Sequence, residues 1–286
     1  MRNIGNMAEN LLSMWCAEAG LTVNTSQQDN MGWDHYIEFP LSNIISHDQV
    51  HQSAPKCKVQ VKATDKNDRK LQVTLSNLRA MAIDPLPYFF LFVEYDGQST
   101  PQKAFLRLVD NDLIRQILKK IHSINASDKD NKFNKKTMIV KYDGHCEMAE
   151  LSGQCFNSTL EIYFNGNFEK IVTDKLNFIK SVGYEDSVIK LGFQTIGEEN
   201  IEKIVDVSLG LEDAVSIEQL IAKNTRFGIE TIDPLLSSST ATLSMPNLTP
   251  THRLDIKRSL DSGRILIVLF LYLWSGSLFE HILTKN

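Results

Sequence analysis

The stretch that decides the fold consists of two short alternating runs joined by a polar gap, Gly32-Trp-Asp34-His-Tyr-Ile-Glu-Phe-Pro40 and Cys57-Lys-Val-Gln60-Val-Lys62-Ala-Thr64. Side chains of a strand alternate between two faces, so Gln60 and Lys62 point to one face while Val59 and Val61 point to the other. Asp34 begins the first run. If the two strands pair, we expect the polar side chains of Asp34, Gln60 and Lys62 to meet in one cleft.

This layout resembles the PD-(D/E)XK nuclease superfamily, in the variant that has glutamine at the second acidic position. Asp34 matches the first Asp, and Gln60-Val-Lys62 matches the (D/E/Q)-x-K strand. The superfamily pattern implies a glutamate from a preceding helix, which here is Glu9. The spacings, about 25 residues from Glu9 to Asp34 and about 26 more to Gln60, suit a few short elements and their loops.

The Gln-Val-Lys form is similar to the double-stranded DNA endonuclease domains of bacterial anti-phage defence effectors of the CBASS and Lamassu type. The resemblance covers roughly residues 1–125. It implies an α/β fold with a restriction-endonuclease-like mixed sheet flanked by helices, and it implies the DNA endonuclease activity of a defence effector.

The chemistry of such a site follows from the residue types. Phosphodiester hydrolysis requires a hard cation, and Mg²⁺, with Mn²⁺ as the alternative, prefers oxygen ligands. Asp34 is the expected direct ligand, with Glu9 and the backbone carbonyl of Val61 as further ligands and the amide oxygen of Gln60 as a weaker one. Lys62 is expected to orient the attacking water or to stabilise the negative charge that develops on the phosphate.

Three other readings stay open. Gln60 and Lys62 are also typical of an ordinary edge strand, where an exposed lysine prevents further pairing. A site with one carboxylate fewer binds Mg²⁺ more weakly, so the chain could also be an adaptor with a degenerate nuclease fold that binds nucleic acid or a partner without cutting. A membrane-associated interaction protein anchored by the apolar tail is the third reading.

Charge is distributed unevenly along this chain of 286 residues with a net charge of −5. Residues 1–125 contain 13 Lys and Arg against 13 Asp and Glu, whereas the remainder contains 17 against 22. A local basic run can attract phosphates even when the whole protein is acidic. We therefore expect the following residues to hold the backbone of double-stranded DNA without reading its bases: Lys56, Lys58, Lys66, Arg69 and Lys70.

The four cysteines form no C-x-x-C pair, and the first residues of the chain contain no apolar segment of signal-peptide length. Four cysteines are too few for a disulfide framework in a chain of this length. These features predict a reducing, cytoplasmic setting.

The pattern of elements predicts a helix over residues 7–19, strands over 21–25, 71–75, 88–95 and 104–109, and a helix from Asp110. His35 and Ile37 fall on the face opposite Asp34, and residues 42–55 are predicted to form a loop over the site. Further strands are expected at 137–142, 158–164 and 188–193, and helices at 168–182 and 198–205. We expect a nuclease-like domain at 1–125, a linker at 126–136, an α+β sensor or interaction region at 137–235 and a flexible stretch at 236–262.

The last segment, residues 263–286, is an apolar tail that contains ten consecutive apolar residues from Ile265 to Trp274. A membrane-spanning helix requires about 20 such residues, so this run is short. It could be a tail anchor or an interfacial segment, a buried terminal element, a partner-binding helix, or the altered end of a longer reading frame. The region after the linker is the candidate surface for further copies of the chain or for partner subunits.

Overall fold

A computed structural model describes residues 2–26, 32–41, 53–127, 132–164, 167–185, 189–196, 198–244, 254–261, 264–271 and 283–284. The chain divides into two compact units, the first formed by residues 1–121 and 132–180 and the second by residues 122–131 and 181–286. Residues 42–52, which include most of the loop expected over the site, lie outside the described residues.

The first unit is built on a mixed five-stranded sheet in the order β1-β2-β3-β5-β6. Its strands are β1 (Thr22–Thr25), β2 (His35–Glu38), β3 (Lys56–Thr64), β5 (Tyr88–Glu94) and β6 (Lys103–Leu108), while β4 (Lys70–Thr74) lies outside this sheet. β3 and β5 are parallel, and the other neighbouring strands are antiparallel. The expected mixed α/β fold with helices flanking a mixed sheet is confirmed at this level.

The helices of this unit are α1 (Ile4–Glu18), α2 (Leu75–Ile83), α3 (Asn111–Asn125), α4 (Gly153–Phe164) and α5 (Phe168–Ser181). One face of the sheet forms a core with α1 and α4, in which Leu12 and Phe156 are buried with Val59 and Leu91. β5 is buried along its whole length, as expected for its continuous apolar sequence, because both of its faces are covered.

The prediction of a strand at residues 158–164 is wrong, because these residues belong to α4. The alternation of Leu160, Ile162 and Phe164 suggested a strand, but Ile162 is exposed, whereas Phe156, Leu160 and Phe164, spaced four residues apart, are buried. α4 packs closely on α1: a Cβ on Gly153 would lie 2.3 Å from the carbonyl oxygen of Trp15. Only glycine permits this approach.

The domain boundary also differs from the one expected at residue 125. β7 (Thr137–Lys141) pairs with β4 as a two-stranded antiparallel sheet, and a 3₁₀ turn (Phe133–Lys135) precedes it within the predicted linker. The first unit therefore continues to residue 180. Pairing between β4 and β7 joins segments that are more than 60 residues apart, and composition alone does not report such a pairing.

The second unit contains an antiparallel sheet in the order β12-β13-β8-β9-β11-β14, with β10 beside β9. The strands are β8 (Ile189–Ile196), β9 (Val215–Arg226), β10 (Ile229–Glu230), β11 (Leu236–Leu243), β12 (Leu254–Asp261), β13 (Arg264–Leu271) and β14 (Leu283–Thr284). The buried residues Ile204 and Val207 of α6 (Glu198–Leu209) pack in the core of this unit with Phe193.

Two expectations for the second unit need correction. The stretch 236–262 contains the strands β11 and β12, and residues 245–253 lie outside the described residues. The apolar run begins with β13, which pairs with β12 on one side and β8 on the other, so this part of the tail is an inner strand of a sheet. In the described part of the chain, no helix has both the length and the apolar character needed to cross a membrane.

A buried lysine connects α5 to the end of α2. Lys175 Nζ donates hydrogen bonds to the carbonyl oxygens of Met81 (3.2 Å) and Leu86 (2.7 Å). Burial lowers the pKa of Lys175 to about 8, although the nearby Asp84 carboxylate raises it and the Lys58 ammonium lowers it. The folded protein therefore disfavours the charged form of this lysine.

Stability should consequently depend on the protonation of Lys175. Between pH 8 and the ordinary pKa of 10.5, the unfolded chain keeps the proton that the folded chain has lost, so stability rises with pH in this window. We expect the unfolding free energy of the wild type to increase by about 2 kcal/mol relative to Lys175→Met between pH 8 and pH 10, measured by urea denaturation. Lys180→Met, at an exposed position of α5, is the control; parallel pH curves for wild type and Lys175→Met would contradict this account.

Candidate functional site

The candidate site lies on β3, the central strand of the five-stranded sheet. β2 pairs with β3 only from Lys56 to Val59, whereas β5 pairs with it from Lys58 to Thr64. The β2 side of β3 is therefore not covered by β2 beyond Val59. The reading of Gln60 and Lys62 as solvent-facing residues of an ordinary edge strand is wrong, because β3 lies between β2 and β5 in the sheet and Gln60 is buried. The incomplete pairing with β2 nevertheless leaves room for a site.

Asp34 immediately precedes β2, at the point along β3 where the pairing of the two strands ends. Its Oδ2 accepts a hydrogen bond of 2.6 Å from the backbone N–H of Val61, and its own N–H donates to the carbonyl oxygen of Val59 at 3.0 Å. The N–H and C=O of one strand residue point to the same side of the strand. The Val61 carbonyl therefore points to the side of β3 on which Asp34 lies, as expected for two ligands of one cation.

A glycine fixes the chain just before Asp34. Gly32 has a φ of +72°, a conformation that other residues rarely adopt, and a Cβ there would lie 2.9 Å from the Cβ of Asn77 on α2. Both the turn and the close approach of α2 thus require glycine two residues before the carboxylate.

Gln60 is the second candidate residue, and it is almost fully buried, with 1% of its surface exposed. It points away from the core that contains Val59 and Val61, as the alternation predicted. Its Oε1 atom has no hydrogen-bond partner among the described residues. A buried amide oxygen without a partner costs about 1–3 kcal/mol, so a ligand that binds to it would recover this energy.

Lys62 follows on the same face of β3, where it lies beside Phe92 of β5. It is half-buried, and no hydrogen bond or ion pair of its side chain occurs within the described residues. Val61, which Asp34 contacts, lies between Gln60 and Lys62 in the sequence. The structure thus places Asp34 against the backbone of β3 at the residue between Gln60 and Lys62.

Glu9 is held on α1, which packs against the opposite face of the sheet. The predicted helix over residues 7–19 would place Glu9 in its first turn. α1 begins at Ile4, so Glu9 lies in the second turn instead. Its carbonyl oxygen accepts a hydrogen bond from Ser13 Oγ (3.2 Å), and Ser13 Oγ lies 3.1 Å from His35 Nε2. Glu9 therefore lies one helical turn before Ser13, which contacts His35, the residue that follows Asp34.

His35 also lies in this region. The sequence predicted the strand face on which it lies but no function for it. It is 1% exposed, and burial lowers its pKa, which favours the neutral imidazole. Its Nδ1 atom has no partner among the described residues. The contact with Ser13 anchors the start of β2 to α1. In the sequence, the feature that indicates such a contact is a polar residue at a position that faces the core.

The five residues expected to bind DNA separate into two groups. Lys56 pairs with Glu38 (3.3 Å), Lys58 with Asp84 (2.5 Å) and Arg69 with Glu94 (3.5 Å). Lys58 also lies over the ring of Trp33, and Arg69 over that of Phe105. Lys66 and Lys70 are exposed, and their side chains make no ion pair within the described residues.

The expected Mg²⁺ requires a set of oxygen ligands. Three or more His, Cys, Asp and Glu side chains do not come together in a possible metal site anywhere in the described ranges. The oxygens that would hold a cation are instead the Asp34 carboxylate, the Val61 carbonyl and the Gln60 amide oxygen. Oxygen donors suit Mg²⁺, and the unpartnered Gln60 oxygen fits such a ligand.

Comparison of the chain with protein-family models, with curated proteins and with solved structures finds no significant match.

The hydrogen bond between Asp34 and Val61 yields a stability prediction. Asp34→Ala leaves the Val61 N–H without an acceptor, so we expect it to lower the unfolding free energy by about 2 kcal/mol. Asp34→Asn keeps an acceptor oxygen and should cost about 1 kcal/mol or less, because only the charge is lost. Urea denaturation measures both values, with the exposed Asp68→Ala as the control. Equal stabilities of the Ala and Asn variants would show that this hydrogen bond does not hold β2 to β3.

Proposed function

We propose that this chain is a metal-dependent endonuclease that hydrolyses phosphodiester bonds of double-stranded DNA. The observation that carries the proposal is the hydrogen bond between the Asp34 carboxylate and the Val61 N–H, because Val61 is flanked by Gln60, whose buried oxygen has no partner among the described residues, and by Lys62, which makes no ion pair with them. Structural polar groups are normally paired, so a carboxylate, an amide and an ammonium arranged in this way are typical of a binding site.

Three oxygens would hold the cation: the Asp34 carboxylate, the Val61 carbonyl and Gln60 Oε1. When bound, a divalent cation neutralises phosphate charge and makes a water molecule more acidic. The hydrogen bond from the Val61 N–H fixes one oxygen of Asp34. Asp34 is therefore oriented before any ligand binds, and this lowers the entropic cost of binding.

Lys62 supplies the positive charge of the site. Because no carboxylate neutralises it within the described residues, its ammonium group can hold a phosphate oxygen or the attacking water. It lies beside Phe92, which is 2% exposed, so nearby apolar atoms lower the local dielectric constant. Electrostatic stabilisation of a charged transition state is stronger under these conditions.

The mixed sheet with flanking helices supports the finer assignment of a restriction-endonuclease-like fold. Gln60-Val-Lys62 on the central strand, with Asp34 beside it, supports the PD-(D/E)XK assignment. The role of an anti-phage defence effector in the cytoplasm, with partner subunits bound by the second unit, rests on the resemblance and remains part of the proposal.

The second candidate function is a non-catalytic adaptor that uses the same surface to bind nucleic acid. The observation that favours it is the small number of acidic ligands: within the ranges described, no three acidic, His or Cys side chains come together as a possible metal site. Fewer negative charges give a weaker Mg²⁺ site.

The catalytic prediction concerns Lys62 and the charge of Asp34. We expect Lys62→Met and Asp34→Asn each to reduce Mg²⁺-dependent cleavage of plasmid DNA by about 100-fold or more, because the first removes the positive charge that acts on the phosphate and the second removes the negative charge that would hold the cation. Lys119→Met, at an exposed position of α3, is the matched control and should keep wild-type activity. Cleavage is followed as the loss of supercoiled plasmid, with EDTA as the metal-free reference.

Full activity of a folded Asp34→Asn protein would contradict this mechanism. Absence of cleavage by the wild type on both plasmid and linear DNA, with Mg²⁺ or Mn²⁺, would favour the adaptor.

A separate prediction concerns Gln60 and the cation itself. Gln60→Glu adds a carboxylate beside Asp34, so we expect Mn²⁺ affinity, measured by calorimetry without DNA, to rise by about tenfold. Gln116→Glu, at an exposed position of α3, changes the same charge elsewhere and should have no effect. If cleavage falls while cation affinity rises, Gln60 acts through its NH₂ group, which an ionised glutamate lacks. No detectable cation site in wild type, Gln60→Glu and Asp34→Ala would leave the adaptor as the better account.

A further inference from the structure

The two-stranded sheet of β4 and β7 exposes a lysine from each strand on one face. Its inward residues Val73 and Val140 are buried, whereas Lys70 and Lys141 on the alternate positions are exposed. The adjoining 3₁₀ turn adds two exposed lysines, and α2 adds an exposed arginine that lines a cavity of about 340 Å³ together with Phe133 of the turn. We call these five residues the basic surface: Lys70, Arg79, Lys132, Lys135 and Lys141.

The charge of this region is opposite to that of the whole protein. Residues 66–79 and 132–143 contain eight Lys and Arg against two Asp, a net charge of +6, whereas the chain as a whole carries −5. None of the five side chains of the basic surface forms an ion pair within the described residues. Such a concentration of unpaired cations produces a positive potential that attracts a polyanion.

Two of these lysines are in an unfavourable position relative to each other. Lys70 and Lys141 are directly opposite partners in the ladder. The neighbouring pair exchanges a hydrogen bond from Tyr142 N to the Arg69 carbonyl, so Lys70 and Lys141 form the non-hydrogen-bonded kind of pair, in which side chains are closest. Like charges directly opposite destabilise a sheet, and a bound polyanion would remove the repulsion.

The basic surface is attached to the sheet that carries the proposed site. Buried Glu94, at the end of β5, accepts a hydrogen bond from Tyr142 Oη (3.1 Å) and pairs with Arg69 (3.5 Å). The ring of Tyr142 stacks on Phe92, with ring centroids 4.0 Å apart. Because Phe92 is the ladder partner of Lys62, this contact places β7 on the sheet face that carries Gln60 and Lys62.

We propose that the basic surface binds the phosphate backbone of a DNA duplex and holds it on the face of the proposed catalytic site. This inference rests on the proposed function and adds the surface that binds the substrate. Strand β4, with five residues, spans about 15 Å, and a duplex presents about nine phosphate charges over that length. Cations spread along strands suit such an extended backbone, whereas a single phosphate ligand requires converging donors.

The polar side chains between the lysines do not read bases. Gln72 Nε2 donates a hydrogen bond to Thr137 Oγ1 across the two strands (2.7 Å), so its amide is already engaged. Binding through this surface is therefore electrostatic and independent of base sequence.

The test measures binding of a fluorescent DNA duplex to the full chain in EDTA, over a range of salt concentrations. We expect the triple variant Lys70→Gln, Lys135→Gln, Lys141→Gln to bind about tenfold or more weakly at about 0.1 M salt. The slope of log affinity against log salt should fall by about 2.7, because each lost phosphate contact contributes about 0.9.

A second triple variant, Lys119→Gln, Lys180→Gln, Lys203→Gln, makes the same change of charge at exposed positions outside this surface and should keep the wild-type slope. Circular dichroism and thermal melting confirm that both variants fold. Two duplexes of unrelated sequence should give equal affinities.

Three results would overturn the proposal: no salt-dependent binding of duplex by the wild type, equal losses in the two triple variants, or binding of anionic phospholipid vesicles without binding of DNA. Binding and cleavage together distinguish failure of the basic surface proposal from failure of the nuclease proposal. Loss of binding in the first triple variant alone, without Mg²⁺-dependent cleavage by the wild type, supports the surface and rejects the nuclease. Cleavage by the wild type with unchanged binding in the first triple variant rejects the surface and keeps the nuclease.

Discussion

The hydrogen bond from the Val61 N–H to the Asp34 carboxylate connects the fold of the first unit to its candidate site. β2 pairs with β3 only from Lys56 to Val59. Beyond Val59, the backbone groups on this side of β3 have no partners in β2 and need other ones. Asp34 supplies the missing acceptor from a side chain. The same placement brings a carboxylate beside the Val61 carbonyl and between Gln60 and Lys62. One interaction thus completes the sheet and assembles the oxygens of the site, and the turn at Gly32 makes this possible.

Some polar groups of the first unit have hydrogen-bond or ionic partners, and others have none among the described residues. Lys58 and Arg69 are paired with carboxylates, and the Lys175 ammonium is satisfied by two carbonyl oxygens. Gln60 Oε1 is buried without a partner in the described residues, and Lys62 has no ion pair there. Leaving such groups unpaired costs stability. A substrate or a cation bound beside Gln60 would offset its share of this cost.

Electrostatics of the first unit depend on pairing between distant segments. Residues 132–141 have the composition of a linker and a separate strand, yet they complete a sheet with β4 and bring their lysines beside Lys70. Tyr142, packed on Phe92 and bonded to Glu94, ties this small sheet to the larger one. An acidic protein thereby acquires a local positive surface on the face of its proposed site. Net charge alone gives no indication of such a surface, because attraction of a polyanion depends on where the charges lie.

The sequence by itself determined the local features of this protein. Period-two alternation placed Gln60 and Lys62 on the face opposite Val59 and Val61, and the apolar run of β5 indicated a strand buried on both faces, because these patterns follow from backbone geometry. Only the tertiary structure decided that β3 is central, that residues 158–164 belong to a helix and that β7 joins β4. It also decided which carboxylate meets each cation, as with Glu94 and Arg69. The physical reason is that periodicity reports the environment of neighbouring residues, whereas pairing across long separations depends on how all the elements pack together.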